Sequence, residues 1–129
     1  MTYRILLVDD SAVVRRALAA ALISRGFEIC GEAENGQVAI DRAVDLHPDA
    51  IVLDVSMPVM HGLDAARILR RVMPDLPVLL YSSFAASTLR REASAAGVQA
   101  VVGKAQPLDV LVQSLESLLQ KSDQSNGEA

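Results

Sequence analysis

Short apolar runs alternate along the chain with longer stretches whose apolar positions recur every three or four residues. That alternation is the signature of βαβ units. It predicts strands over Arg4 to Val8, Phe27 to Glu32, Ala50 to Leu53, Val78 to Tyr81 and Gln99 to Val102. Ile51-Val52-Leu53 and Val78-Leu79-Leu80 are continuously apolar, as strands covered on both faces are; the second run is more mixed and reads as an edge strand. Between the strands, helices are predicted to begin near Ala12, Gln37, Gly62, Ala85 and Leu108. Gly26 and Gly97 stand where the first and fourth helices need a left-handed terminating residue, and Pro48, Pro74 and Pro77 separate helix from strand. In the last helix, Leu108, Leu111, Val112, Leu115, Leu118 and Leu119 form one stripe, which is ordinary core packing.

The 129 residues are enough for one domain with a continuous core, expected over residues 1–121. Residues 122–129, Ser-Asp-Gln-Ser-Asn-Gly-Glu-Ala, offer nothing to bury and are expected to be a disordered tail or the stub of a linker. Hydrophobic residues make up 51% of the chain but aromatics only 3%, so the core must be aliphatic, which suits a parallel sheet covered by helices. A net charge of -4 gives no general attraction to nucleic acid or anionic membrane, so no direct nucleic acid binding is expected. Neither a membrane span nor a signal peptide is evident, and a cytoplasmic location is expected. Cys30, the single cysteine, reads as a small buried hydrophobe. His47 and His61 read as turn residues, and Arg15, Arg16, Arg70 and Arg71 as solvated helix faces.

The informative placement is that of the acids. Asp9 and Asp10 follow the first apolar strand and Asp54 follows the third. In an open doubly wound sheet, ligands bind beyond the carboxyl ends of the strands, where the strand order reverses. With strand order 2-1-3-4-5, strands one and three are neighbours and the acids share one small volume. Their repulsion calls for a cation, and Mg2+ is the simplest, since it takes oxygen ligands and commonly binds through one or two carboxylates and a phosphate oxygen. Ser82 and Ser83 end the fourth strand, and Lys104 follows the fifth. A hydroxyl to bind a phosphoryl oxygen, an ammonium to neutralise it and Asp54 as nucleophile are nearly all that phosphoryl transfer asks of a protein. Taken singly, each group has a plain structural explanation: Asp-Asp-Ser as a helix cap, Ser-Ser as a loop start, Lys104 as a surface charge. Jointly and in this order they are specific.

These residues resemble the receiver domains of bacterial two-component response regulators. The matching pieces are Ile5 to Ser11, Glu34-Asn35-Gly36, Ile51 to Gly62, Pro77 to Ser82, Ala96-Gly97 and Lys104. Residues 46–71 are most similar to receivers that precede helix-turn-helix DNA-binding domains, and the chain as a whole to chemotaxis regulators. The resemblance implies a flavodoxin-like three-layer α/β sandwich with a five-stranded parallel sheet and five helices. It implies a phosphoryl group passed to Asp54 from a sensor histidine kinase or phosphotransfer protein. Asp10, Asp54 and the backbone carbonyl of Ser56 would bind Mg2+, and Asp9 would act through water. Ser82, which directly ends the apolar strand, would take the hydroxyl role and Lys104 the lysine role. The output would be control of a downstream effector, with a phosphorylation-dependent homodimer through the face of the fourth and fifth helices as one form.

Several positions depart from the family pattern. Ala105 replaces the usual proline after the lysine, Val101 the usual aromatic of the fifth strand, and Phe84 a smaller or polar residue. Without the aromatic, coupling is expected to run through the loop and helix around Ser82 and Phe84, and Phe84 and Ser56 are expected to flank the phosphoryl group and set how fast water removes it. The departures give some support to a constitutive interaction domain that keeps the fold and has lost the switch; the intact acids oppose it. An aspartyl phosphatase would carry a second acid where Ser56 stands, and a dinucleotide-binding enzyme a Gly-rich loop where Asp9-Asp10-Ser11 stands. The protein is therefore expected to take part in its own phosphorylation without being a multiple-turnover enzyme.

Overall fold

The computed structural model describes residues 2–83 and 86–127. The elements alternate as β1 (Arg4–Val8), α1 (Ala12–Ser24), β2 (Glu28–Ala33), α2 (Gly36–Leu46), β3 (Ala50–Asp54), α3 (Gly62–Val72), β4 (Val78–Ser82), α4 (Ala86–Ala95), β5 (Ala100–Gly103) and α5 (Leu108–Gly127). The strands form one parallel sheet in the order β2-β1-β3-β4-β5, so the fold is flavodoxin-like, and the mixed second run is an edge strand as its composition predicts.

Because side chains alternate across a strand, each apolar run feeds two cores. Ile5, Leu7, Val52, Leu79 and Val102 meet Leu18 and Leu22 of α1 and Leu111, Leu115 and Leu119 of α5. Leu6, Val8, Ile51, Leu53 and Leu80 meet Ala39, Ile40 and Ala43 of α2, Leu63 and Leu69 of α3, and Leu89 and Ala93 of α4. Three layers result, and the sheet is buried on both faces. Cys30 is half-buried against the second of these cores, and burial pushes its thiol pKa up.

Capping follows the sequence closely. The Ser11 hydroxyl accepts from the Val14 N–H at 3.3 Å to start α1, and the Asn35 side chain accepts from the Val38 N–H at 2.9 Å to start α2. His61 caps α3, its Nδ1 accepting from the Leu63 N–H at 3.2 Å, and His47 ends α2 in the left-handed region. Gly26 and Gly97 have φ of +91° and +85°, the left-handed conformations their positions call for. Val59 was not anticipated: this β-branched residue holds φ of 69° in the loop after β3 and is 80% exposed.

At the C-terminal end the structure departs from expectation. Helical backbone continues past Lys121 to Gly127, through most of the segment expected to be disordered. Residues 122–126 contain no proline, and Gly127 is the first residue there that strongly disfavours helix, so α5 has no reason to stop sooner. Phe84 and Ala85 lie outside the described residues.

Candidate functional site

The acids, serines and lysine singled out in the sequence as site residues lie at the carboxyl ends of the strands. Asp9 follows β1, Asp54 ends β3, Ser82 ends β4 and Lys104 follows β5. Oxygen atoms of Asp9, Asp10 and Asp54 lie within 4.8 Å of one another. Asp9, Asp54 and Ser82 are buried, whereas Asp10 is exposed at the rim. Ser83, the alternative hydroxyl, is also exposed. Ser56 lies just beyond Asp54 in an exposed loop, and its backbone N–H hydrogen-bonds the Asp54 carboxylate.

Local backbone contacts fix these positions. The Asp9 side chain accepts from the Ser11 N–H at 2.9 Å, which folds the acidic turn onto the start of α1. The Lys104 N–H donates to the Ser82 carbonyl at 2.6 Å and joins the ends of β4 and β5. Gly62 brings α3 so close to β3 that a β-carbon there would overlap the Asp54 carbonyl oxygen.

The charges are tightly arranged. The Lys104 ammonium lies 2.9 Å from Asp9 Oδ2 and 3.2 Å from Asp54 Oδ1. Burial raises the Asp54 pKa, the Asp9 charge raises it further, and together they outweigh Lys104 and the Ser56 N–H, which lower it. For Lys104, burial acts to lower the pKa, but the hydrogen bond it donates to Asp9 and the carboxylate charges overcome this and raise it. The pocket thus disfavours the negative charge on Asp54 and favours the positive charge on Lys104. A group bringing compensating positive charge to the acids is favoured there.

Two contributors escaped the reading of the sequence. Arg15, expected to be a solvated helix residue, is only 17% exposed in its side chain. It donates to the Asp9 carbonyl at 2.5 Å and pairs with Glu32 at 2.9 Å, tying α1 to the ends of β1 and β2. Its place in the first turn after Ser11 was the available signal. Tyr81, read as a core position of β4, lies with its ring centroid 5.6 Å from the Lys104 ammonium. The expectation for Phe84 and Ser56 flanking a phosphoryl group rests partly on Phe84, outside the described residues.

Comparison with known proteins agrees with this geometry. Residues 5–116 match the family described as the response regulator receiver domain. The chain is 33% identical over 104 residues to a chemotaxis protein CheY of Thermotoga maritima, covering 81% of this chain and 87% of that one. It is 38% identical over 118 residues to a protein-glutamate methylesterase/protein-glutamine glutaminase of Archaeoglobus fulgidus, covering 92% of this chain but only 33% of the relative. Among solved structures, a LuxR-family two-component response regulator from Aurantimonas sp. superimposes with a TM-score of 0.90 at 29% identity, covering 94% of this chain and 87% of that one. With the acids, serine and lysine at the strand ends and the match running through β1 to α5, the chain belongs to the response regulator receiver domain family.

Proposed function

We propose that the protein accepts a phosphoryl group on Asp54 with the help of Mg2+ and changes its binding surface in response. The observation that carries this reading is the convergence of Asp9, Asp10 and Asp54 within 4.8 Å, with the Lys104 ammonium 3.2 Å from Asp54. Three carboxylates in one pocket form an all-oxygen donor set suited to a hard divalent cation. Asp10, Asp54 and the Ser56 carbonyl would hold Mg2+ directly and Asp9 through water; bound there, the ion supplies charge neutralisation for the acids and the incoming phosphoryl oxygens.

Asp54 is the nucleophile: its free carboxylate oxygen attacks phosphorus as the bond to the donor breaks. Lys104, already oriented by Asp9, neutralises a phosphoryl oxygen, and the Ser82 hydroxyl hydrogen-bonds another. The new charge on Asp54 draws Ser82 and Lys104 inward, and the loop and helix that follow β4 move with them. The donor would be a sensor histidine kinase or phosphotransfer protein in the cytoplasm, and the output an effector that distinguishes the two states. A homodimer through the α4 and α5 face is one form that output can take. The protein is a participant in a single transfer and its reversal, not a multiple-turnover catalyst. Against the constitutive interaction domain, Lys104 reaches Asp54 with Ala105 in place of the usual proline beside it.

The test is intact mass after incubation with Mg2+ and acetyl phosphate. A gain of one phosphoryl group is expected, lost in Asp54→Ala and with excess chelator. No gain by a folded wild type overturns the proposal.

A further inference from the structure

Strand geometry sets Tyr81 between a lysine and the acids it contacts. Tyr81 pairs in register with Asp54 on β3 and with Val102 on β5. Tyr81 and Val102 both face the core built on α1 and α5. Lys104 lies two residues beyond Val102, in the turn just past the end of β5. Its ammonium nevertheless contacts Asp54 and Asp9, on the far side of β4. The lysine side chain must therefore cross the end of β4, where its ammonium lies over the Tyr81 ring.

The contact distance agrees, for 5.6 Å from ammonium to ring centroid lies within reach of the attraction between a cation and an aromatic face. The ring is 7% exposed and belongs to the core that includes Leu79, Val102 and Leu111, a buried setting that restrains it. In the turn after β5, by contrast, the next residue is the exposed Ala105, whose methyl group offers no such surface.

We propose that Tyr81 is a positioning residue for Lys104, its ring face the platform over which the ammonium reaches Asp54 and a phosphoryl group attached to it. The proposal rests on phosphoryl acceptance by Asp54. An ordinary core tyrosine would fill the same space, so the test separates the ring face from the volume it occupies.

The chain contains only two lysines, Lys104 and Lys121, so their side-chain NMR signals separate readily. Ring current is expected to move the ε-methylene and ammonium protons of Lys104 upfield of those of Lys121 in the wild type, whatever happens at Asp54. Tyr81→Leu and Tyr81→Met, which fill the space without a ring, are expected to lose that shift. They are also expected to take up phosphate from acetyl phosphate about three- to tenfold more slowly than wild type. Tyr81→Phe, which keeps the ring, is expected to restore both shift and rate. An unshifted Lys104 in the wild type overturns the proposal without any variant having to fold. So does a Leu or Met variant as fast as the Phe variant, or a Phe variant as slow as those two, which would assign the effect to the hydroxyl. Failure of the wild type to take up phosphate while the shift is present overturns the function of the site and not the contact.

Discussion

At Asp54 the fold opposes the negative charge that the proposed phosphoryl transfer needs. Burial and the Asp9 charge raise its folded-state pKa, so the folded protein without Mg2+ holds that proton more tightly than the unfolded chain does. The resulting contribution to stability is present in full below the unfolded pKa and is lost as pH rises through the folded one. Asp54→Asn removes the ionisation, and in chelator at neutral pH it should melt above wild type. The advantage should disappear once pH falls below the carboxylate range, and equal melting temperatures at neutral pH would contradict the assignment. Val59 is a second residue under constraint, a β-branched side chain at φ of 69° with little packing to lose. Val59→Gly should stabilise the fold by about 1 kcal/mol, measured by denaturant unfolding, because the left-handed conformation costs a non-glycine residue about 1–2 kcal/mol and glycine returns part of that as chain entropy. Asp9, Asp10, Asp54, Ser82 and Lys104 were legible because each sits at the end of an apolar run. Arg15 and Tyr81 were not, because their roles depend on which neighbours the completed sheet brings alongside.

At the scale of elements, strands and helices were legible from periodicity to within a residue or so. Each predicted strand except the first gains one residue at its carboxyl end, Ala33, Asp54, Ser82 or Gly103, where the ladder continues beyond the apolar run. Two of these terminal residues, Asp54 and Ser82, belong to the candidate site, where the strand turns polar while its ladder continues. The α5 stripe is seated as its spacing predicts, with Leu115 fully buried against α1 and the sheet. Leu115→Ala should cost about 2–5 kcal/mol by denaturant unfolding. A cost near zero would mean that α5 is not packed on the sheet. The far end of this helix was missed for a plain reason. The absence of apolar residues predicts an absence of burial, but a helix already nucleated can run on without it.

For the molecule as a whole, the acids at one rim of the sheet make stability depend on what binds them. Mg2+ at about ten times its dissociation constant should add about 1.4 kcal/mol to unfolding free energy, seen as a higher melting temperature that Asp10→Asn diminishes. No change with Mg2+ would count against a metal site among the acids. The matched family covers residues 5–116, and we propose that the independently stable unit ends near Lys121. Removal of residues 122–129 should leave stability within about 0.5 kcal/mol, checked by the same melts. Among the described residues, no helix is long and apolar enough to cross a membrane. The two lysines lie at opposite ends of this architecture. Lys104 is held between carboxylates with its pKa raised, while Lys121 is exposed and lines a cleft with Pro74, Pro77 and Gln99 at the other rim. Between the two lysines, an amine-reactive dye will therefore favour the exposed Lys121 over the one ion-paired to Asp9 and Asp54, so a fluorophore placed there follows the molecule while Lys104 stays free of label.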